Sequence, residues 1–173
     1  MHLVLGALPD TEGAAPVSRN IVVIGLGNSY RCDDGVGIAA AQALDDMALP
    51  GVRVVTGIAE PMGLIETWSG AALAVVIDAA AANPSVPGRI RRCTARDAAD
   101  ESAKFSSHGM NLGRTQSLGQ ALGRLPDALV VFTVEAADTG HGVGLTPPVA
   151  AAVPEVVGLV AAEINCARLS TKR

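Results

Sequence analysis

Apolar residues along this chain gather in four short, continuous runs separated by longer segments of mixed polarity. The runs are NIVVIGL (20–26), GVRVVTG (51–57), ALAVVID (72–78) and ALVVFTV (128–134). They are rich in β-branched residues and do not alternate with polar ones, which is typical of strands covered on both faces. The pattern therefore predicts four buried strands.

The segments between and after these runs have helical features. They are DDGVGIAAAQALDDM (33–47), PMGLIETWSG (61–70), MNLGRTQSLGQALGRL (110–125) and VAAAVPEVVGLVAAEINCARL (149–169). Pro154 should kink the last of them or mark its true start. The stretch NPSVPGRIRRCTARD (83–97) has turn residues followed by alternation, and predicts an extra edge strand with its arginines toward water.

Alternating strands and helices at this length predict an α/β fold with three layers, in which a doubly wound, mostly parallel, twisted sheet carries helices on both faces. With 173 residues the chain is most simply one domain. We assign residues 20–173 to a single α/β domain. Residues 1–19 lack a basic region and their apolar part is short for a signal peptide. We expect them to be a poorly ordered N-terminal extension.

Composition narrows the class of protein. The net charge of −4 and the absence of a basic cluster longer than RIRR argue against nucleic acid as a partner. Apolar runs such as AALAVVIDAAAA contain an Asp or are too short to span a bilayer, so we expect no membrane partner. Three widely spaced cysteines, Cys32, Cys93 and Cys166, fit reduced thiols in the cytoplasm.

The loop after the first strand, GLGNSYRCDDGVG, begins like a nucleotide-binding turn. Gly25 and Gly27 fill the first two glycine positions of the dinucleotide fingerprint, but Tyr30 stands at the third. Asp33 and Asp34 would also repel phosphate from the helix start. The sequence therefore disfavours a nucleotide site.

The same acidic residues suit a cation. Asp34 follows the first strand and Asp78 ends the third, so both should reach the carboxyl edge of the sheet. His108, in KFSSHGMNLG, is a third candidate ligand. Two carboxylates and an imidazole favour Mn, Co, Ni or Zn and leave a position for water or substrate.

Ordinary structural roles stay open for each of these residues. Asp33 or Asp34 can be a plain helix N-cap, and Asp78 can end its strand by accepting hydrogen bonds from nearby amides. His108 and His141 can be loop histidines without a function.

Four motifs, taken in order, resemble the nickel-iron hydrogenase maturation endopeptidases over roughly residues 21 to 165. They are GLGNSYRCDDGVG, VVIDA, SSHGMNLG and GVGLTPPV. The resemblance implies the same three-layer fold and removal of a C-terminal peptide from the hydrogenase large-subunit precursor. It implies that Asp34, Asp78 and His108 bind nickel carried by the precursor, and that Zn or Cd can substitute for this nickel. Members carry Glu or Asp at the first of these positions.

The chain departs from the family pattern in residues 1–19 and in the loop TGIAEPMGL (56–64), which is not the Gly-rich form. Because of this loop, the identity of the cleaved precursor is less certain than the class of reaction.

Two other functions compete with the protease interpretation. One is a non-catalytic metal-binding or scaffold protein on the same fold. The other is a hydrolase using Cys32 or a serine, which lacks a GxSxG motif.

Overall fold

The computed structural model describes residues 20–94, 97 and 112–170, and every structural statement below refers to these residues. They form one five-stranded sheet with the strand order β2-β1-β3-β5-β4. The strands are β1 (Ile21–Gly25), β2 (Val52–Thr56), β3 (Leu73–Ala80), β4 (Ile90–Thr94) and β5 (Leu129–Glu135). Both the N-terminal extension 1–19 and His108 lie outside the described residues.

Four α-helices cover the two faces of the sheet. They are α1 (Val36–Asp46), α2 (Pro61–Trp68), α3 (Leu112–Ala121) and α4 (Pro147–Leu169), and a 3-10 helix (Cys32–Gly35) precedes α1. Helices α1 and α4 pack on one face, where Val36 and Val156 join the core. Helix α2 packs on the other face through Leu64 and Trp68. The predicted three-layer α/β architecture is confirmed.

Strands β2, β1, β3 and β5 run parallel, and β4 pairs antiparallel with β5 at the edge. The edge strand predicted within residues 83–97 is thus confirmed. Its Arg92 makes a two-pronged ion pair with Glu163 of α4, at 2.9 Å for both contacts, and remains half exposed. A charged, partly solvated edge protects the sheet from pairing with other chains.

The last helix differs from its prediction in two respects. It begins at Pro147, where proline suits the first turn, and Pro154 lies inside it instead of at its start. In the part of the chain that the structure describes, α4 is long and apolar enough to cross a membrane by length and composition alone, although it contains Glu155 and Glu163. Because Val149, Val156 and Ile164 of α4 are buried against the sheet, the helix is a core element here.

Candidate functional site

A close contact between α1 and the sheet positions the site. A Cβ atom on Gly37 would lie 2.3 Å from the Leu26 carbonyl oxygen and 2.4 Å from that of Ile77. One on Gly25 would lie 2.4 Å from the Gly37 oxygen. Only hydrogen atoms fit at these positions, so the start of α1 rests directly on β1 and β3. We call these contacts the glycine seam.

The seam holds the 3-10 helix, and with it Asp34, beside the end of β3. The Asp34 side chain is fully buried. Gly27, with φ of 116°, packs against the backbone of Asp34, since a Cβ atom on Gly27 would lie 1.9 Å from the Asp34 carbonyl oxygen. The glycine that resembled a nucleotide motif therefore makes room for an acidic turn.

Asp78 lies on β3 at the carboxyl edge, where its Cα partner on β5 is Thr133. The side chain is partly exposed and accepts a 2.8 Å hydrogen bond from the N–H of Ala79. Burial, and to a smaller extent the charge of Asp34, raise the pKa of Asp78 to about 7 against the opposing effect of this bond. The two carboxyl groups therefore lie close enough to repel each other.

Asp78 opens into a cavity of about 370 Å³. Leu26, Ile38 and Ile58 give it apolar walls, and Tyr30 stands at its rim. Asp78 is the charged side chain among the described residues that line it, whereas Asp34 is enclosed behind it. This is a concave, largely apolar site with one convergent carboxyl group, as expected for a substrate pocket.

Asp33 does not cap α1, contrary to one interpretation of the sequence. Gly35 is the N-cap residue of α1 and provides no side-chain bond. The Asp33 carboxylate instead accepts hydrogen bonds from the N–H groups of Ala137, Asp138 and Thr146, at 2.8, 2.9 and 2.6 Å, and from the Thr146 hydroxyl at 2.9 Å. Burial alone would raise the pKa of Asp33, but these four bonds outweigh it and lower the pKa.

Sequence reasoning missed this connection between the first loop and residues 136–146. Thr146 lies in the motif GVGLTPPV, whose resemblance to the family was noted without any structural reason for it. A buried carboxylate reaching 104 to 113 residues along the chain has no local signal. The one sequence feature that pointed to a second role for Asp33 is its position next to another Asp at the start of a helix.

The predicted ligand set is reached only in part. The structure places Asp34 and Asp78 close together, while His108 is outside the described residues. Within residues 20–94, 97 and 112–170, no cluster of three His, Cys, Asp or Glu side chains suits a metal ion. His141 is exposed in the loop after β5. The ligand set with His108 therefore stays a prediction.

Residues 38–163 match the family model for hydrogenase maturation protease. The chain belongs to this family. No curated protein matches the sequence significantly.

Solved structures share the fold. The hydrogenase maturating endopeptidase HybD from E. coli superimposes with a TM-score of 0.75 at 22% identity, covering 84% of this chain and 92% of that one. The [NiFe] hydrogenase maturation protease HybD from Thermococcus kodakarensis gives 0.68 at 23% identity, with 82% and 97% covered. The maturation protease HycI from the same organism gives 0.62 at 21% identity, with 83% and 90% covered.

Family membership identifies the chain as a protease and disfavours the non-catalytic scaffold. The alternative of a cysteine hydrolase is disfavoured by a separate observation, because the Cys32 thiol in the site loop is poorly suited to nucleophilic attack. Burial raises the pKa of Cys32, and the charges of Asp138 and Asp33 raise it further. A nucleophilic thiol needs the opposite shift.

Proposed function

We propose that this hydrogenase maturation protease removes the C-terminal extension of a hydrogenase large-subunit precursor after nickel has been installed in it. In this proposal Asp34, Asp78 and His108 bind the nickel that the precursor carries, and Zn or Cd can substitute for it. The proteolysis takes place in the cytoplasm and involves neither nucleic acid nor a membrane.

The observation that carries the proposal is the pairing of Asp34 with Asp78 at the carboxyl edge of the sheet. Two neighbouring carboxylates in a partly dry site disfavour each other's ionisation, and a bound dication reverses that effect. The raised pKa of Asp78 is consistent with a site that lacks its counter-charge until substrate arrives.

The cavity supports the second half of the proposal, which is cleavage next to the ion. A precursor-borne dication can polarise the scissile carbonyl when it is held here. Asp78 would orient the metal-bearing end of the precursor from the cavity floor, and Asp34 would add a second negative charge from behind. The apolar walls of Leu26, Ile38 and Ile58 would restrict water around the reacting bond.

The test is incubation of the purified protein with nickel-containing and nickel-free precursor, followed by intact-mass measurement. We expect loss of the C-terminal peptide from the nickel-containing form alone. Asp34→Asn, Asp78→Asn and His108→Ala should each slow cleavage by about 30-fold or more, since removing one partner of a buried charge interaction costs about 2–5 kcal/mol.

Asp127→Asn is the matched control. Asp127 is an exposed acid two residues before β5, at the opposite edge of the sheet, and its replacement should leave the rate unchanged. Cleavage at the normal rate by Asp78→Asn would rule out the metal-recognition role. Equal cleavage of the nickel-free precursor would rule out nickel recognition while leaving the protease assignment intact. Calorimetric titration with Ni, Zn and Cd would show whether the free protein holds an ion.

A further inference from the structure

Tyr30 lines the cavity, and Val143 follows Gly142, whose N–H donates to the Tyr30 carbonyl oxygen. Val143 is 80% exposed and Tyr30 is 72% exposed, the highest values among the large apolar side chains of the described residues. Tyr30 belongs to the loop after β1 (residues 26–35, here the β1 loop), and Val143 to the loop after β5 (residues 136–146, here the β5 loop). Side chains of this kind next to a substrate cavity indicate a contact surface for a partner.

The backbone locks these two loops together at the positions that carry the exposed side chains. Arg31 and Gly142 form a parallel β-bridge. The Gly142 N–H donates to the Tyr30 oxygen, and the Cys32 N–H donates to the Gly142 oxygen, both at 3.0 Å. A Cβ atom on Gly142 would lie 2.8 Å from the Cys32 sulfur, so the loops meet without spare room.

Further bonds fix the base of this arrangement. The Asp33 N–H donates to the Asp138 oxygen at 3.0 Å, and the Arg31 guanidinium donates to the Thr139 oxygen at 3.1 Å. The Asp33 carboxylate adds its four bonds to the β5 loop, described above. Tyr30 and Val143 are therefore presented by a rigid support, which lowers the entropy cost of binding through them.

We propose that Tyr30 and Val143 bind the folded large-subunit precursor and align its cleavable end with Asp78. This inference rests on the proposed function. Tyr30 and Asp78 line the same cavity, so a chain segment bound there would lie near both side chains. Val143 is strongly exposed on the adjoining β5 loop, where it would add apolar contact with a body of the precursor larger than the extension itself.

The test is steady-state kinetics of cleavage of the nickel-containing precursor, measured by intact mass over a range of precursor concentrations. Tyr30→Ser is expected to raise KM about 10-fold and Val143→Ser about 3-fold, each with kcat changed by less than about twofold, because truncating a central aromatic anchor typically costs more than 1 kcal/mol. Tyr30→Phe, which keeps the ring, should retain the wild-type KM.

Leu169→Ser is the matched control. Leu169 is 66% exposed but lies at the far end of α4, about 33 Å along the helix from Pro147 at 1.5 Å per residue. Its KM and kcat should equal those of the wild type. Thermal melting and gel filtration of every variant check that fold and oligomeric state are unchanged.

The outcomes separate the two proposals. Failure of the wild type to cleave the precursor refutes the proposed function. Cleavage by the wild type with an unchanged KM in Tyr30→Ser and Val143→Ser refutes the contact surface alone. A change of oligomeric state in the serine variants, with KM unaltered, would assign the two side chains to self-association and also refute it.

Discussion

Replacing Asp33 by Asn should destabilise the protein strongly although the change is nearly isosteric. The carboxylate is fully buried and accepts four hydrogen bonds, three at Oδ2 and one at Oδ1 from the Thr146 N–H. An Asn side chain has one acceptor oxygen. In its best orientation that oxygen replaces Oδ2, and the amide NH₂ then faces the Thr146 N–H.

The magnitude follows from this geometry. A hydrogen bond to a charged group contributes about 1.5–3 kcal/mol, and a buried N–H without an acceptor costs about 1–3 kcal/mol. The three bonds that remain become weaker, since bonds to ionised acceptors are about twice as strong as neutral ones. We expect a loss of about 4 kcal/mol in the free energy of unfolding. Thr146→Val, which removes the hydroxyl bond alone, should lose about 1.5–3 kcal/mol.

The assay is urea unfolding followed by circular dichroism and fluorescence between pH 3 and pH 7. The pKa of Asp33 is lowered on folding, so its stabilisation is fully present above the unfolded pKa of about 3.9 and is lost as pH falls through the folded value. The difference between wild type and Asp33→Asn should therefore be largest above about pH 5 and shrink in acid. A loss below about 1 kcal/mol, or a difference that does not vary with pH, would refute the reasoning.

Three further predictions concern the seam, the paired acids and the thiol. Gly37→Ala should lower the free energy of unfolding by about 3 kcal/mol or more, because the added Cβ meets two backbone oxygens. Gly158→Ala, in an open position on α4, should raise it by up to about 1 kcal/mol. Equal melting temperatures of the two variants would contradict the close contact at the seam. Carboxyl NMR of the free protein should show Asp78 titrating near pH 7, and Asp34→Asn should lower that pKa by removing a like charge. Since the pKa of Asp78 is raised on folding, the free energy of unfolding should fall as pH rises from about 4 to about 7. An NMR titration midpoint of Asp78 near pH 4 would contradict this. Cys32→Ser should cleave precursor at the normal rate, and inhibition of the wild type by iodoacetamide at pH 7 through this thiol would restore the cysteine hydrolase alternative.

The sequence predicted the layers of the fold because each buried strand is a continuous apolar run, as in Val22–Ile24 and Val75–Ile77. It also indicated the edge strand, because turn residues at 83–88 precede the alternating stretch Arg89, Ile90 and Arg91. The pairing of Asp34 with Asp78 followed from the rule that carboxyl ends of parallel strands meet at one edge.

Features that depend on contacts between residues far apart along the chain could not be predicted from the sequence as well. Asp33 was interpreted as a possible helix cap, because its partners at residues 137–146 are fixed by the meeting of two loops and by no local pattern. The start of α4 was uncertain for a related reason. Pro154 can break a helix, but packing of Val149 and Ala152 against the core continues the helix through it.

The glycine seam fixes the distance between the two acids of the site. With no space for even a methyl group between α1 and the strands, the layer bearing Asp34 cannot slide relative to the strand bearing Asp78 without displacing main-chain atoms. The spacing of the two acids is consequently a property of the backbone, insensitive to repacking of side chains. If the proposed metal site is correct, a different ion radius would have to be met by a change in side-chain length, such as Asp34→Glu, because the helix cannot shift against the sheet.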